Sequence, residues 1–475
     1  MSHEQTVLAT LIVYQLALIA LGLMTRERNR DGVDFFLGGR QLGPTVAAIA
    51  ASASSSSAWT LLGVSGAAYS WGLSALWLFP ACVGGFAINW MFIAPALRRA
   101  SHETGAVTVT ELIAGPVGRQ GRQAIVVVAS VIVLVSLGLY VAAQFQAAGK
   151  TFTETFGLSP VDSILIGAGV VLFYTMVGGF WAVAVTDALQ GLMMAAAAVI
   201  IPIAALMTVG GPFALAEGLR AVPVDGYLSL TRNMAWPAAL GFILGLLGIA
   251  IGYPGQPHVV NKFMAMKPGD AALNHARRVG IGWGVLVYAG MLLAGLAGRV
   301  MLPGLGDPEV VLISLANLLL PGVGAGLLIA AILSAIMSTA DSQLLVAASA
   351  ITHDLEIGRN RGSLLTRSRI VVLGLGLGAI GAALYGSQEI FSRVLFAWAA
   401  MGAAFGPLIL IVITRGPVSA RATVLAMVVG FASSVSAYYL PPHAWKGVFE
   451  RIIPVLLALA IVYAAGRAVR PRNAG

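Results

Sequence analysis

The chain has 475 residues, 58% of them hydrophobic and only 10% charged, with a mean hydropathy of +0.89. A soluble domain carries about 25% charged residues, so the composition excludes a string of soluble domains and leaves lipid as the main solvent. The net charge of +9 is spread through short loops, with no basic domain for nucleic acid, and the single cysteine, Cys82, excludes an intramolecular disulfide.

In lipid only helices or a closed barrel satisfy their own backbone. Barrel strands read as short alternating segments, whereas the apolar runs here are long and continuous. The sequence therefore predicts an all-α polytopic membrane protein. A span needs about 20 apolar residues. Thirteen candidates follow in chain order, near 5–24, 44–66, 70–97, 123–148, 158–178, 180–208, 232–254, 274–300, 322–351, 367–386, 390–414, 421–440 and 447–468. The first follows MSHEQT, with no basic stretch before it, and reads as a retained span, not a cleaved signal. Segment 308–319 is too short to cross and is expected along the interface. An odd count puts the termini on opposite sides. Of the 28 basic residues, 21 fall in connections after odd-numbered spans or at the C-terminus. The positive-inside rule then places the N-terminus outside and the C-terminus in the cytoplasm.

Four places break the apolar pattern, and polar exceptions inside lipid are usually functional. Ser52-Ala53-Ser54-Ser55-Ser56-Ser57-Ala58-Trp59 holds five serines in six residues. Serine competes for its own backbone, so an unwound segment is expected here in preference to close packing by small residues. Asp187, with Thr186 and Gln190, must face protein or water; cation ligand, proton carrier and structural partner stand open. Gly252-Tyr253-Pro254-Gly255-Gln256-Pro257-His258 contains two prolines and two glycines and cannot continue a regular helix, whether it breaks the helix or ends it. Ser334, Ser338, Asp341 and Ser342 recur at helical spacing and share one stripe. That row of oxygens suits a small hard cation, or else a solvated cavity wall or a helix–helix hydrogen bond.

The two interruptions open the blocks of spans 2–6 and 7–11, the pattern of an inverted-repeat transporter with a central site. The sequence has no Walker loop, no HExxH and no cysteine or histidine cluster. A secondary transporter is expected, not an enzyme.

Asp34-Phe-Phe-Leu-Gly-Gly-Arg40, the serine segment, Gly178-Gly-Phe-Trp-Ala-Val-Ala-Val-Thr-Asp187, Gly252–His258, His275-Ala-Arg-Arg278, Ala335-Ile-Met-Ser-Thr-Ala-Asp-Ser-Gln-Leu-Leu345 and Gly402-Ala-Ala-Phe-Gly-Pro407 occur in that order. With them the chain resembles the sodium:solute symporters over nearly its whole length, most closely the proline-transporting bacterial branch. The resemblance implies a leucine-transporter-type core of five plus five inverted spans, 44–208 and 232–414. An extra N-terminal span, 5–24, and two C-terminal spans, 421–468, flank that core.

The resemblance also implies a sodium site formed by the carbonyls of Ala53, Ser56 and Ala335 with the hydroxyls of Ser338 and Thr339. A second sodium site would use Asp187, Ser338, Asp341 and Ser342. Ser57, Tyr140, Tyr253 and Pro257 match substrate positions of the proline-transporting branch. Ser55 and Ile249 depart from it, standing where that branch has an aspartate and a tryptophan. The implied activity is sodium-coupled import of a small organic solute, an amino acid such as proline, by alternating access in a bacterial-type plasma membrane. Sodium, solute and lipid are the expected partners, with no nucleic acid and no obligate protein partner. The rivals are a proton-coupled symporter of the same fold, with Asp187 or Asp341 as carrier, and a solute sensor. A sensor should carry a signalling domain.

Overall fold

The computed structural model describes residues 2–25, 37–177, 180–357, 363–386 and 389–465. The start of the Asp34–Arg40 motif, Gly178-Gly179 and the C-terminal arginines lie outside these residues. Among the described residues the regular structure is helical, apart from one isolated parallel bridge between Leu42 and Met266.

The main helices are α1 (His3–Thr25), α2 (Pro44–Ser55), α3 (Val64–Trp71), α4 (Leu78–Ile88), α5 (Arg119–Phe156), α6 (Pro160–Val177), α7 (Phe180–Val209) and α8 (Trp236–Leu247). The second part holds α9 (Pro257–Met264), α10 (Asp270–Met301), α11 (Val311–Leu319), α12 (Gly322–Ser349), α13 (Leu364–Tyr385), α14 (Ile390–Arg415), α15 (Ala420–Tyr438) and α16 (Ile453–Ala464). Their starts follow local chemistry. Proline sits in the first turn of α2, α8 and α9, where no intrahelical N–H is lost. Ser363 and Ser419 cap α13 and α15 by accepting the amides of Thr366 and Ala422.

Among the described residues, eleven helical stretches are long and apolar enough to cross a membrane. The count falls short of the expected thirteen for two reasons. Pro160–Met176 is a shorter apolar helix, and Trp59–Thr104 counts as one stretch although Gly72 interrupts it at φ 62, ψ −138. Segment 308–319 is a helical turn followed by α11, whose residues Val311, Leu312, Ile313, Leu315 and Ala316 are buried in the bundle.

Burial sorts the helices into centre and periphery. The most apolar window of the α12 stretch is 83% buried by protein, against 17% for that of α1. Large apolar side chains such as Ile12, Leu16, Phe173, Ile200 and Leu377 face outward, as lipid requires.

Connections group at two ends. At one, Lys150 pairs with Asp307 and Glu309 (2.7 and 2.6 Å), and Glu309 accepts the amides of Ile390 and Phe391 at the start of α14. There too, Leu73 N donates to Tyr227 O at 2.9 Å and the Trp77 indole to Leu230 O at 3.0 Å. At the other end, Arg40 reaches Ser101 and Ala106, Arg98 reaches Lys267 and Gly269, and Arg122 and His353 meet Glu111. Leu42 joins this second group by accepting the Lys267 amide at 3.0 Å. The first group follows even-numbered spans and the second odd-numbered spans.

Candidate functional site

The serine segment ends α2 at Ser55. Ser56 takes φ −117, ψ 84, and helix resumes at Trp59 as one wide turn before α3. The expected competition is visible: Ser55 Oγ donates to Ser52 O at 2.9 Å, and Ser57 Oγ accepts the Trp59 amide at 3.1 Å. Every residue from Ser52 to Ser57 is buried, so the freed backbone must find partners in protein. α5 supplies two. Gln144 Oε1 accepts the Ala58 amide at 3.1 Å, and Tyr140 OH donates to Ser57 Oγ at 3.2 Å.

The second interruption is a break and not a helix end. Helix runs to Gly252, a tight turn covers Tyr253–Gly255, Gln256 is extended at φ −104, ψ 95, and Pro257 restarts helix as α9. Gln256 Nε2 holds the break by donating to Gly252 O at 3.0 Å and Trp398 O at 2.9 Å. Glycine is required for contact with α14. A Cβ on Gly255 would lie 2.7 Å from Gly402 Cα, and one on Gly402 would lie 2.6 Å from Gly252 Cα.

Buried aromatic rings and hydroxyls connect the two breaks. Tyr253 OH is 3.2 Å from Tyr288 OH, which is 3.2 Å from Thr60 Oγ1. The Tyr253 ring lies 4.7 Å from Trp398 and 5.5 Å from Phe86. Ile249 is buried, and its carbonyl accepts the Trp398 indole N–H at 3.4 Å. An indole from α14 therefore borders the position where Ile249 leaves out a tryptophan. Trp398, Tyr288 and Gln144 were not among the residues singled out in the sequence. Trp398 is the lone large aromatic among the small residues Ala397–Ala400, a weak signal that core packing would produce equally well.

The α12 stripe splits. Ser334 bonds to Tyr14 of α1 and to Ala330 O. Ser338 and Thr339 face the first break instead. Ser338 Oγ donates to Ala53 O at 3.3 Å and Thr339 Oγ1 to Ser54 O at 3.4 Å. Ala335 is one turn earlier on the same helix, and Ser56 is the break residue. Both hydroxyl contacts are near the outer limit of hydrogen bonding, and every atom involved is a hard oxygen. Among the described residues no three His, Cys, Asp or Glu side chains gather as a metal cluster. This neutral oxygen set fits an alkali cation.

Asp187 lies beside that set. Its Oδ2 accepts from Ser54 Oγ at 3.1 Å, Ser342 Oγ at 3.2 Å and Lys262 Nζ at 2.9 Å. Asp341 Oδ1 turns back onto the Ser342 amide at 2.6 Å. Lys262 was counted with the loop charges, but it is only 1% exposed. Its removal from that count leaves 20 loop charges against seven, and the asymmetry stands.

The model of the Sodium:solute symporter family matches residues 35–430. The chain is 34% identical over 429 residues to the high-affinity proline transporter of Bacillus subtilis (strain 168), covering 88% of this chain and 89% of that one. It is 31% identical over 468 residues to the sodium/proline symporter of Escherichia coli (strain K12), covering 96% and 91%. Among solved structures, a Na+-coupled sialic acid symporter in a substrate-bound outward-open state superposes with a TM-score of 0.76 at 19% identity, covering 98% and 99%. The nucleobase-cation-symport-1 family transporter Mhp1, closed around bromovinylhydantoin, gives 0.58 at 15% identity, covering 92% and 96%. The likeness to these structures is one of fold, the leucine-transporter type. With four-fifths of its length matched by one family model, the chain belongs to the sodium:solute symporter family.

Proposed function

We propose that the protein is a sodium-coupled symporter of a small amphipathic solute in the plasma membrane, with proline the first solute to test. One observation carries the reading: the hydroxyls of Ser338 and Thr339 meet the carbonyls of Ala53 and Ser54 in the last turn of α2, where the break leaves Ala53 O with the Ser56 amide at 3.1 Å. A desolvated sodium ion would replace those long contacts with ion–oxygen contacts. The carbonyls of Ser56 and Ala335 complete the proposed set.

The solute sits between the breaks in this reading. Ser55, Ser57 and Tyr140 offer hydroxyls, and Tyr253, with Trp398 beside it, offers an apolar wall with a polar tip. Pro257 and Ile249 shape the second break. The two repeats are 44–208 and 232–414. Their broken first helices meet at the centre, and either end of the bundle opens in turn. Each sodium entering gains about 2.3 kcal/mol per 100 mV of membrane potential, which drives uptake against a gradient. The relatives named for proline transport support proline, and the departures at Ser55 and Ile249 argue for a panel. The grouping of connections at two ends supports an outside N-terminus and a cytoplasmic C-terminus.

The test is uptake of a labelled amino-acid panel into proteoliposomes with a sodium gradient, a pH gradient or neither. Accumulation driven by sodium alone is expected. Accumulation that follows only the pH gradient would replace sodium by protons.

A further inference from the structure

The second oxygen cluster carries its own cation. Asp187 Oδ2 lies 2.9 Å from Lys262 Nζ, and the two side chains are 0% and 1% exposed. Four elements meet there: Ser54 from α2, Asp187 from α7, Lys262 from α9 and Ser342 from α12. Lys262 thus approaches from the second broken helix, while Asp187 belongs to the proposed first repeat.

We propose that the Lys262 ammonium permanently occupies the Asp187 cluster as a tethered cation, so that the protein binds and moves a single sodium, at the Ser338–Thr339 site. The inference rests on the sodium-symport reading above. Asp187, Ser342 and their neighbours are the positions where the resemblance implied a second sodium, and here the residues do not fit one. One carboxylate oxygen already accepts three donors, one of them fully charged. In a low-dielectric interior the ammonium already neutralises Asp187, so a second positive ion would be repelled by it and could draw only on the Asp341 carboxylate, whose Oδ1 is turned back onto the Ser342 amide.

The neighbouring cluster differs in the respect that matters. Ser338, Thr339 and the carbonyls of Ala53 and Ser54 include no charge of either sign, so their cation must come from solution. The clusters touch at Ser54, whose carbonyl faces Thr339 and whose hydroxyl faces Asp187. The exchangeable ion and the tethered one therefore act on the same broken helix.

Radioactive sodium bound to purified protein in detergent, counted per protein by scintillation proximity, needs no knowledge of the solute. One sodium per wild-type protein and hyperbolic saturation are expected. K262M removes the ammonium and leaves the Asp187 carboxylate with its hydroxyls. It should bind two sodium ions and saturate sigmoidally, while K262R should keep one. Two sodium ions on the wild-type protein would overturn the inference and leave symport standing. A folded K262M that still binds one would overturn the role of Lys262. No saturable sodium binding to the wild type would sink the symport reading together with this inference. If K262M does not purify as a monodisperse protein, the wild-type count alone decides.

Discussion

Ser338 and Thr339 each offer one hydroxyl oxygen to the first break, and desolvated sodium has few substitutes for it. Ser338→Ala and Thr339→Ala should each raise the sodium concentration for half-maximal uptake roughly tenfold, the size of losing one hydrogen bond to a charged group. The solute requirement at saturating sodium should change less. Sodium titrations of uptake check this, and unchanged curves for both variants would remove α12 from the ion. Ser55→Asp tests the other side of the break by adding a carboxylate near Ala53 and Ser56. It should lower the sodium requirement, by less than a bare low-dielectric Coulomb estimate because the effective dielectric around buried charges in proteins is higher than that of a dry interior. An unaltered sodium response in a variant that still transports would count against an ion beside this break. Ile249→Trp would place a second indole next to Trp398 and Tyr253. Overpacking a fitted site costs about 1–3 kcal/mol, so apparent affinity for the true solute should fall, unless that solute is one the added ring accommodates. The hydroxyls were legible in the sequence because serines at helical spacing in an apolar span stand out. Lys262 was not, because four residues past a proline-glycine break it reads as a loop charge. Trp398 and Tyr288 were not, because an aromatic residue in an apolar helix looks the same whether it packs the core or lines a site.

At the scale of elements, the second break and α14 touch backbone to backbone through Gly252, Gly255, Gly402 and Gly406. Gly402→Ala puts a methyl group 2.6 Å from Gly252 Cα, and neither backbone can turn aside. A loss of about 1–3 kcal/mol is expected, seen as a lower melting temperature of the purified protein and as impaired transport. Gly282→Ala on α10, with nothing within 4 Å, is the control and should be neutral or slightly stabilising, since alanine is the better helix former. Equal melting temperatures for the two variants would contradict the close contact. Both breaks could be anticipated, since serine competition and paired proline and glycine act locally. Their continuation could not: whether helix resumes at Pro257 depends on Gln256 finding Gly252 O and Trp398 O, and the second partner is 142 residues away. Gly72 ends one helix without interrupting the apolar run, so length and hydropathy alone merge Trp59–Thr104 into one stretch where the sequence reads as two spans, 44–66 and 70–97.

For the whole molecule, the loop charges and the two groups of connections support one orientation. Cysteines introduced at Ser2 and Ala474 should label with an impermeant reagent from opposite sides of the membrane. Labelling from the same side would exclude an odd number of crossings. The inverted repeat was legible only as a pattern of interruptions, because no shared residues mark the two halves. A different property of α14 bears on how the ends of the bundle communicate. Its first turn is held by Glu309 and carries Phe391, whose ring lies 5.3 Å from Trp59 above the first break and 5.1 Å from Trp71. Eleven residues farther on it meets the second break at Gly402. A glycine-to-glycine contact has no rotamers to absorb a displacement, so a shift of the second break passes whole into the helix. With Gly402 as fulcrum the arm to Phe391 is about 16 Å, and each degree of tilt swings the ring by about 0.3 Å at that radius. α14 thus joins, through one continuous helix, the glycine contact at the second break and the aromatic cluster beside the first.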